Sequence, residues 1–378
     1  MKILLIGEYS RLHNSLKEGL EFLGHDITLI ATGDYFKDYP ADIKLNRKFE
    51  TGFGKKIKVG LYRLFRIDIS SISIKRQFFS YQHKLKDYDV VQLINESPFG
   101  VTPKVECQII SFLKQNNKKL FLLSCGADNI SVKYALSSKL KYSILDAYKN
   151  GSVSKKEFDF ALKYITDPFL KLHEFVFEHI TGVIASDLDY HLPLNEHPKY
   201  LGLIPNPVIS DRLNFIENPI SDRIIIFLGI NRNNYYTKGI KYFEKALELI
   251  EKKYSENVHI EIVENLPYLE YIEKYNNAHI VLDQVLSYDQ GYNALEAMSK
   301  GKVVFTGAEK EFMDHYQLEE PVAINVLPNT EQIFNKLEDL IQHPEKIIEI
   351  GKNASEFVKK EHHYMMIAKK YLEVWKTN

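Results

Sequence analysis

Short apolar runs recur along the chain, each followed by a stretch in which apolar residues return every three or four positions. "KILLIG" (2–7) reads as a buried strand, and Leu12, Leu16, Leu20 and Leu23 mark one face of the helix after it. Gly24 closes that helix, and "ITLIA" (27–31) is the next strand. The unit returns as "YDVVQLI" (88–94), a helix over 102–116 and "KKLFLLS" (118–124), with further strands at 181–186 and 200–205. Beyond Pro205 and Pro207 the pattern restarts. It predicts a strand at 222–230, an amphipathic helix at 238–254 and a strand at 258–263. A helix over "YLEYIEKYNNA", a strand at "HIVLDQ", a short helix at 294–300 and a strand at 303–305 follow. Continuous apolar strands alternating with long helices predict parallel sheets covered on both faces. Two such runs, joined near 206–222 through Pro207 and Pro219, predict an α/β protein of two doubly wound, Rossmann-like domains.

Composition narrows the class. A chain of 378 residues is too long for one ordinary core, and 45% apolar with 26% charged residues is the balance of a water-soluble globular protein. A net charge of −1 argues against a nucleic-acid binder. Two cysteines, Cys107 and Cys125, exclude a disulfide scaffold or a four-cysteine zinc site. The opening "MKILLIGEYS" is too short for a signal-peptide core, and the longest apolar run, "IIIFL" (224–228), is far below a membrane span. The expected location is the cytoplasm, at most against the inner face of a membrane.

The first strand-to-helix turn, "GEYSRLHNS", holds only Gly7 where a dinucleotide fingerprint needs three glycines, and no Gly-Lys-Ser/Thr phosphate loop occurs. A nicotinamide or flavin cofactor is therefore not expected, nor any other. Two later stretches carry chemistry. In "FLGINRNNYYTKGIKYF", Arg232 and Lys238 flank a loop between a strand and a helix, where both cations can converge on a diphosphate. In "DQVLSYDQGYNALEAMSKGKVVF" (283–305), a strand ends in Asp283 and a loop leads into a helix carrying Glu296. Taken singly, the first is also what a solvated loop carries, and the second what a helix start carries to satisfy its dipole. Asp187 and Asp189 in "SDLDY" form an Asp-x-Asp pair, and the plainer reading is a cap for the next helix rather than a metal site.

In this order, the cation pair followed by "EAMSKGKVV" (296–304) resembles the nucleotide-sugar domain of retaining GT-B glycosyltransferases, family four, with Val303 in place of the usual proline. "LLIGEYSRLHNSLKEGLEFLGHDITLI" is similar to that family's opening, and "YLEVWK" (371–376) to its closing helix. The resemblance implies an acceptor-binding domain at 1–205, a donor-binding domain at 206–360, and a helix over 361–378 crossing back to the first. It implies Glu296, Gly291, Tyr292, Asn293, Gly229, Gly7 and Glu8 around the donor, with Glu296 on the ribose. Arg232 and Lys238 would act on the departing diphosphate without a metal ion. The family's acid eight positions before the second Glu falls on Tyr288, with Asp289 beside it, and its catalytic-site histidine after the fifth strand is missing from "LLSCGADN", which offers Gly126 and Asp128, so the resemblance implies Asp289 and Asp128 as catalytic carboxylates. His13 and Asn95 complete the acceptor side. The activity implied is sugar transfer from a nucleotide-diphosphate sugar to a glycan, lipid-linked or small-molecule acceptor. The alternatives are a sugar-nucleotide epimerase on the same fold and a silent nucleotide-sugar binder.

One stretch bears on the acceptor. Residues 51–86 hold nine lysines and arginines against one acid, Asp68, interleaved with Phe53, Tyr62, Phe65, Phe78 and Phe79. "KKIKVGLYRLFRI" can lie on an anionic membrane as an amphipathic helix, a peripheral contact through 53–86, or it can cover the first sheet.

Overall fold

The apolar runs pair into two parallel sheets in the computed structural model, which describes residues 1–378 apart from 34–38, 138, 218, 221, 265 and 267 and the side chains of 268 and 269. Positions 218 and 221 of the expected linker thus lie outside the described residues. The first sheet is built from β1 (Lys2–Ile6), α1 (Leu12–Phe22), β2 (Asp26–Ala31) and β3 (Ile43–Lys44). After α2 (Gly52–Phe65) and α3 (Ile69–Ser80) come β4 (Val90–Leu93), α4 (Pro103–Asn116) and β5 (Lys119–Ser124). Four helices then lead to β6 (Gly182–Ala185): α5 (Asn129–Leu136), α6 (Asp146–Lys149), α7 (Asp159–Leu162) and α8 (Asp167–His179). The sheet ends with α9 (Leu188–Leu194) and β7 (Tyr200–Leu203).

The second sheet follows: β8 (Ile224–Ile230), α10 (Ile240–Tyr254), β9 (Val258–Glu264), α11 (Tyr268–Asn277) and β10 (Ile280–Leu282). Then come α12 (Tyr292–Ser299), β11 (Val303–Thr306), α13 (Lys310–Tyr316) and β12 (Ile324–Asn325). Three helices close the chain: α14 (Thr330–Gln342), α15 (Glu345–Glu361) and α16 (Tyr364–Thr377).

Strand order is β3-β2-β1-β4-β5-β6-β7 in the first sheet and β12-β11-β10-β8-β9 in the second. Each order reverses once, between β1 and β4 and between β8 and β10, and the crevice beyond the carboxyl ends of those strands is where such sheets bind ligands. Every residue of β4 and β6 is buried, as strands covered on both faces must be.

Helix α16 leaves the second sheet and packs on the first. Its Ile367, Tyr371, Leu372 and Trp375 join Leu12, Leu16 and Leu20 of α1 in one buried cluster. The Trp375 indole donates to Gln92 Oε1 of β4 at 3.1 Å, and Lys119 Nζ donates to the Trp375 carbonyl at 2.9 Å. The connection between the sheets runs beside the start of α16. Val208 N donates to the His362 carbonyl at 2.7 Å, and Tyr364 N donates to the Val208 carbonyl at 3.1 Å.

Candidate functional site at the second switch point

Lys238 follows β8 and Asp283 follows β10, so the two strands of the reversal bring them together across the crevice. Lys238 Nζ lies 2.7 Å from Asp283 Oδ1, and Asn293 Nδ2 donates to the same oxygen at 2.9 Å. The Asp283 carboxylate is almost fully buried, at 1% exposure, while the lysine keeps 29%. Two motifs separated along the chain thus meet on one oxygen atom. Asn293 sits in the first turn of α12, whose first amide bond runs from Leu295 N to the Gly291 carbonyl. The amides of 292–294 precede it and have no acceptor inside the helix. A side chain built on Gly291 would meet nothing within 4 Å, so the approach to that turn is open. A helix start with open amides stands beside an ammonium group, an arrangement that can take an anion. Glu296 lies three residues beyond Asn293 and therefore on the same helix face, half-buried.

Behind this face, the Tyr271 hydroxyl donates to Asn293 Oδ1 at 3.2 Å, and Tyr275 donates to the Asn293 carbonyl at 2.7 Å. The Tyr271 ring fills the space beside Gly229, where an added Cβ would stand 2.8 Å from it. Gly229 is thus fixed by packing of the first helical turn's support. Arg232 is placed differently from its partner. Its guanidinium makes a fork with Glu264 at the end of β9, Nε to Oε1 at 2.9 Å and Nη2 to Oε2 at 2.6 Å.

On the first sheet, the expected residues mostly shape the loops. Gly7 has φ 86°, and a Cβ there would lie 2.3 Å from Ile94 Cγ2, so no other residue fits. His13 Nδ1 donates to the Gly7 carbonyl at 2.7 Å. The ring is fully buried, and burial lowers it to about 4, so it stays neutral and does not reach the cleft. Glu8 Oε2 accepts from Asn14 N at 2.8 Å and from its side chain at 2.7 Å. Ser10 and Arg11 both adopt left-handed backbone, φ 50° and 74°, a costly pair that loops keep at functional edges. Asn95 is buried and gives its amide to the Cys125 and Ala127 carbonyls at 2.9 and 3.2 Å, holding the turn in which Gly126 lies beside the Tyr9 ring. Asp128 caps α5: it accepts from Ser131 N at 2.7 Å and from Ser124 Oγ at 2.5 Å. With Ser131 it forms a capping box, so its carboxylate is held by the start of α5.

The Asp-x-Asp pair splits its work. Asp187 accepts from Asp189 N at 3.0 Å and caps α9. Asp189 crosses to the second domain, where Ser287 Oγ and Tyr288 N donate to it. Asp289 returns the contact, accepting from Leu188 N at 3.1 Å and from Gln290 N at 2.7 Å. Each domain therefore caps the backbone of the other with an aspartate, half-buried at Asp189 and buried at Asp289. Tyr292 also bridges, its hydroxyl donating to the Pro207 carbonyl at 2.9 Å, so this side chain serves the connection and only its amide faces the open turn. Among the described residues no group of three His, Cys, Asp or Glu side chains is arranged to hold a metal ion.

Burial raises all three aspartates, and Asp289 reaches about 7. A carboxyl raised in the folded state holds extra native protons, so its contribution to stability falls as pH rises from about 4 to about 7, then stays constant. In melting curves from pH 5 to pH 8, Asp289→Asn should gain several degrees relative to the parent, because the charge that costs stability is gone. A gap that does not change with pH would show an ordinary carboxyl.

The sequence motifs leave out Asp283 as a binding element and Asp189 as an interdomain contact. The signal for Asp283 was its position at the last residue of an apolar strand run. For Asp189 there was none.

Residues 233–373 match a family model described as glycosyl transferase-like. No curated protein sequence matches the chain. Solved structures do. Sucrose-phosphate synthase from Thermosynechococcus elongatus is 15% identical with a TM-score of 0.64, over 100% of this chain and 99% of that one. HepE from Anabaena, in complex with UDP and glucose, is 11% identical with a TM-score of 0.60, over 100% of both chains. The UDP-GlcNAc 2-epimerase from Neisseria meningitidis, bound to UDP-GlcNAc, is 14% identical with a TM-score of 0.50, over 100% of both. At such identities the likeness speaks for the fold, which is GT-B: two Rossmann-like domains facing a cleft.

Proposed function

We propose that the protein moves a sugar from a nucleoside diphosphate sugar to a carbohydrate, lipid-linked or small-molecule acceptor, with retention and without a metal ion. One observation carries this reading: Lys238 and the first turn of α12 converge on Asp283 Oδ1, with Glu296 on the same helix face. The diphosphate takes the ammonium and the open amides of 292–294, and the ribose hydroxyls fall to Glu296, about one helical turn (~5 Å) further along. As the glycosidic bond breaks, negative charge gathers on the diphosphate, where Lys238 already stands, so the cation serves the transition state more than the bound donor. Arg232 adds its charge only if the phosphates draw it from Glu264. The strained Ser10–Arg11 turn and the Gly126 loop face the acceptor, with Asn95 setting the backbone of the Gly126 loop, and Gly7 and Glu8 stay on the donor side. Asp289 holds the domains together rather than touching the sugar.

Uridine nucleotides are the first probes, because HepE and the epimerase are bound to them. A nucleoside diphosphate at about 100 times its dissociation constant adds ~2.7 kcal/mol to stability and raises the melting temperature by several degrees. A panel of nucleoside diphosphates and their sugars in which none shifts the melt would sink the reading. Turnover should persist in a chelator, and complete loss restored by manganese would contradict the metal-independent mechanism. The epimerase structure favours one second reading, inversion of a sugar carbon with the product still joined to its nucleotide.

A further inference from the structure

The connection from β3 to β4 carries a helix, α2, that, among the described residues, buries none of its own side chains. Phe53 and Leu64 are each 77% exposed. On helical spacing Phe53, Ile57, Leu61 and Leu64 fall along one side, with Lys55, Lys56 and Arg63 away from it. In a globular domain such a stripe packs on a core. Here both faces of the first sheet are already taken, one by α1 and α16, the other by α3, α4 and α8.

We propose that α2 docks on an anionic lipid surface, its apolar stripe entering the headgroup–acyl boundary and its cations meeting the headgroups. Charge selects this occupant. Residues 51–86 carry nine cations, and the one acid among them, Asp68, is spent capping α3 through Ser70 N and Ser71 N. Within α2, Lys58 pairs with Glu50 at 2.6 Å, while Lys55, Lys56 and Arg63 have no ion-pair partner among the described residues. A second copy docking through the same face would bring the same excess of positive charge against it. A bilayer offers unlimited negative charge and an apolar layer at the depth that the stripe needs. The helix also leaves the sheet on the cleft side. Arg47, just before it, donates through Nη2 to Thr32 Oγ1 at 3.1 Å and to the Phe99 carbonyl at 2.9 Å, in loops beyond the carboxyl ends of β2 and β4. Docking therefore turns the proposed acceptor edge toward the membrane, where a lipid-linked acceptor would lie.

The full chain is sedimented with vesicles of phosphatidylcholine alone, or with an equal amount of phosphatidylglycerol. Binding is expected to the anionic vesicles only, falling with added salt. Phe53→Glu with Leu64→Glu should abolish it, and Lys55→Gln, Lys56→Gln and Arg63→Gln together should weaken it roughly a hundredfold, at ~1 kcal/mol per cation. Both variants should melt with the parent, since no side chain they change is buried. Equal binding to neutral vesicles, or anionic binding unchanged in both variants, overturns the proposal. So does a dimer that the variants dissolve while no vesicle binds. The assay contains no donor and no turnover, so it fails or succeeds apart from the transferase reading.

Discussion

Replacing Lys238 by alanine should lower turnover a hundredfold or more while donor affinity falls only about tenfold. A cation beside a developing anion in a closed cleft is worth ~3–4 kcal/mol in the transition state. In the ground state the amides at the start of α12 still hold the phosphates, so less is lost there. The substitution also strips Asp283 of its ammonium partner, and an unpaired buried carboxylate is destabilising in its own right. A companion variant separates the two effects. Lys238→Ala with Asp283→Asn removes the unpaired charge and should recover the melting temperature without recovering turnover. Turnover at saturating donor, set against a calorimetric dissociation constant, gives the comparison. Equal losses in both would leave Lys238 as an anchor only.

The second large effect belongs to Glu296. Its alanine variant should bind the nucleoside diphosphate ~10- to 100-fold more weakly, the loss of one or two charge-assisted hydrogen bonds. The side chain is half-buried, outside the packed core of α12, which is Ala294, Leu295, Ala297 and Met298. The melting temperature without ligand should therefore hold. A 2′-deoxy nucleotide should bind the parent less well and the variant no worse than the ribose form. An unchanged dissociation constant in Glu296→Ala would remove this residue from the ribose.

Much of this was legible in the chain because it follows local rules. Buried parallel strands read as apolar runs, so β1, β5, β8 and, despite Gln92, β4 stood out, and their alternation with helices gave the layers. The meeting of Lys238 and Asn293 was legible because a strand reversal places loop ends together: the two fall on either side of it. The capping box at Asp128 and Ser131 was also written in the sequence, as an acid three residues before a serine at a helix start, although the family pattern drew Asp128 toward catalysis. Other features rest on contacts between distant segments. The Arg232–Glu264 fork joins the ends of β8 and β9, and the Asp189 and Asp289 caps cross the domain boundary. No periodicity encodes these. The helices α5 to α7, eight, four and four residues long, are too short to repeat a pattern. For α2 the pattern gave an apolar face, but whether anything covers a face is a property of the fold.

The measurement that bears most directly on the central claim is release of nucleoside diphosphate from a panel of sugar nucleotides, with and without candidate acceptors. The account predicts that one donor is cleaved, that an acceptor accelerates it, and that Lys238→Ala slows it at least a hundredfold. A donor that binds and is never cleaved, or one returned as an epimer with its nucleotide still attached, would contradict it.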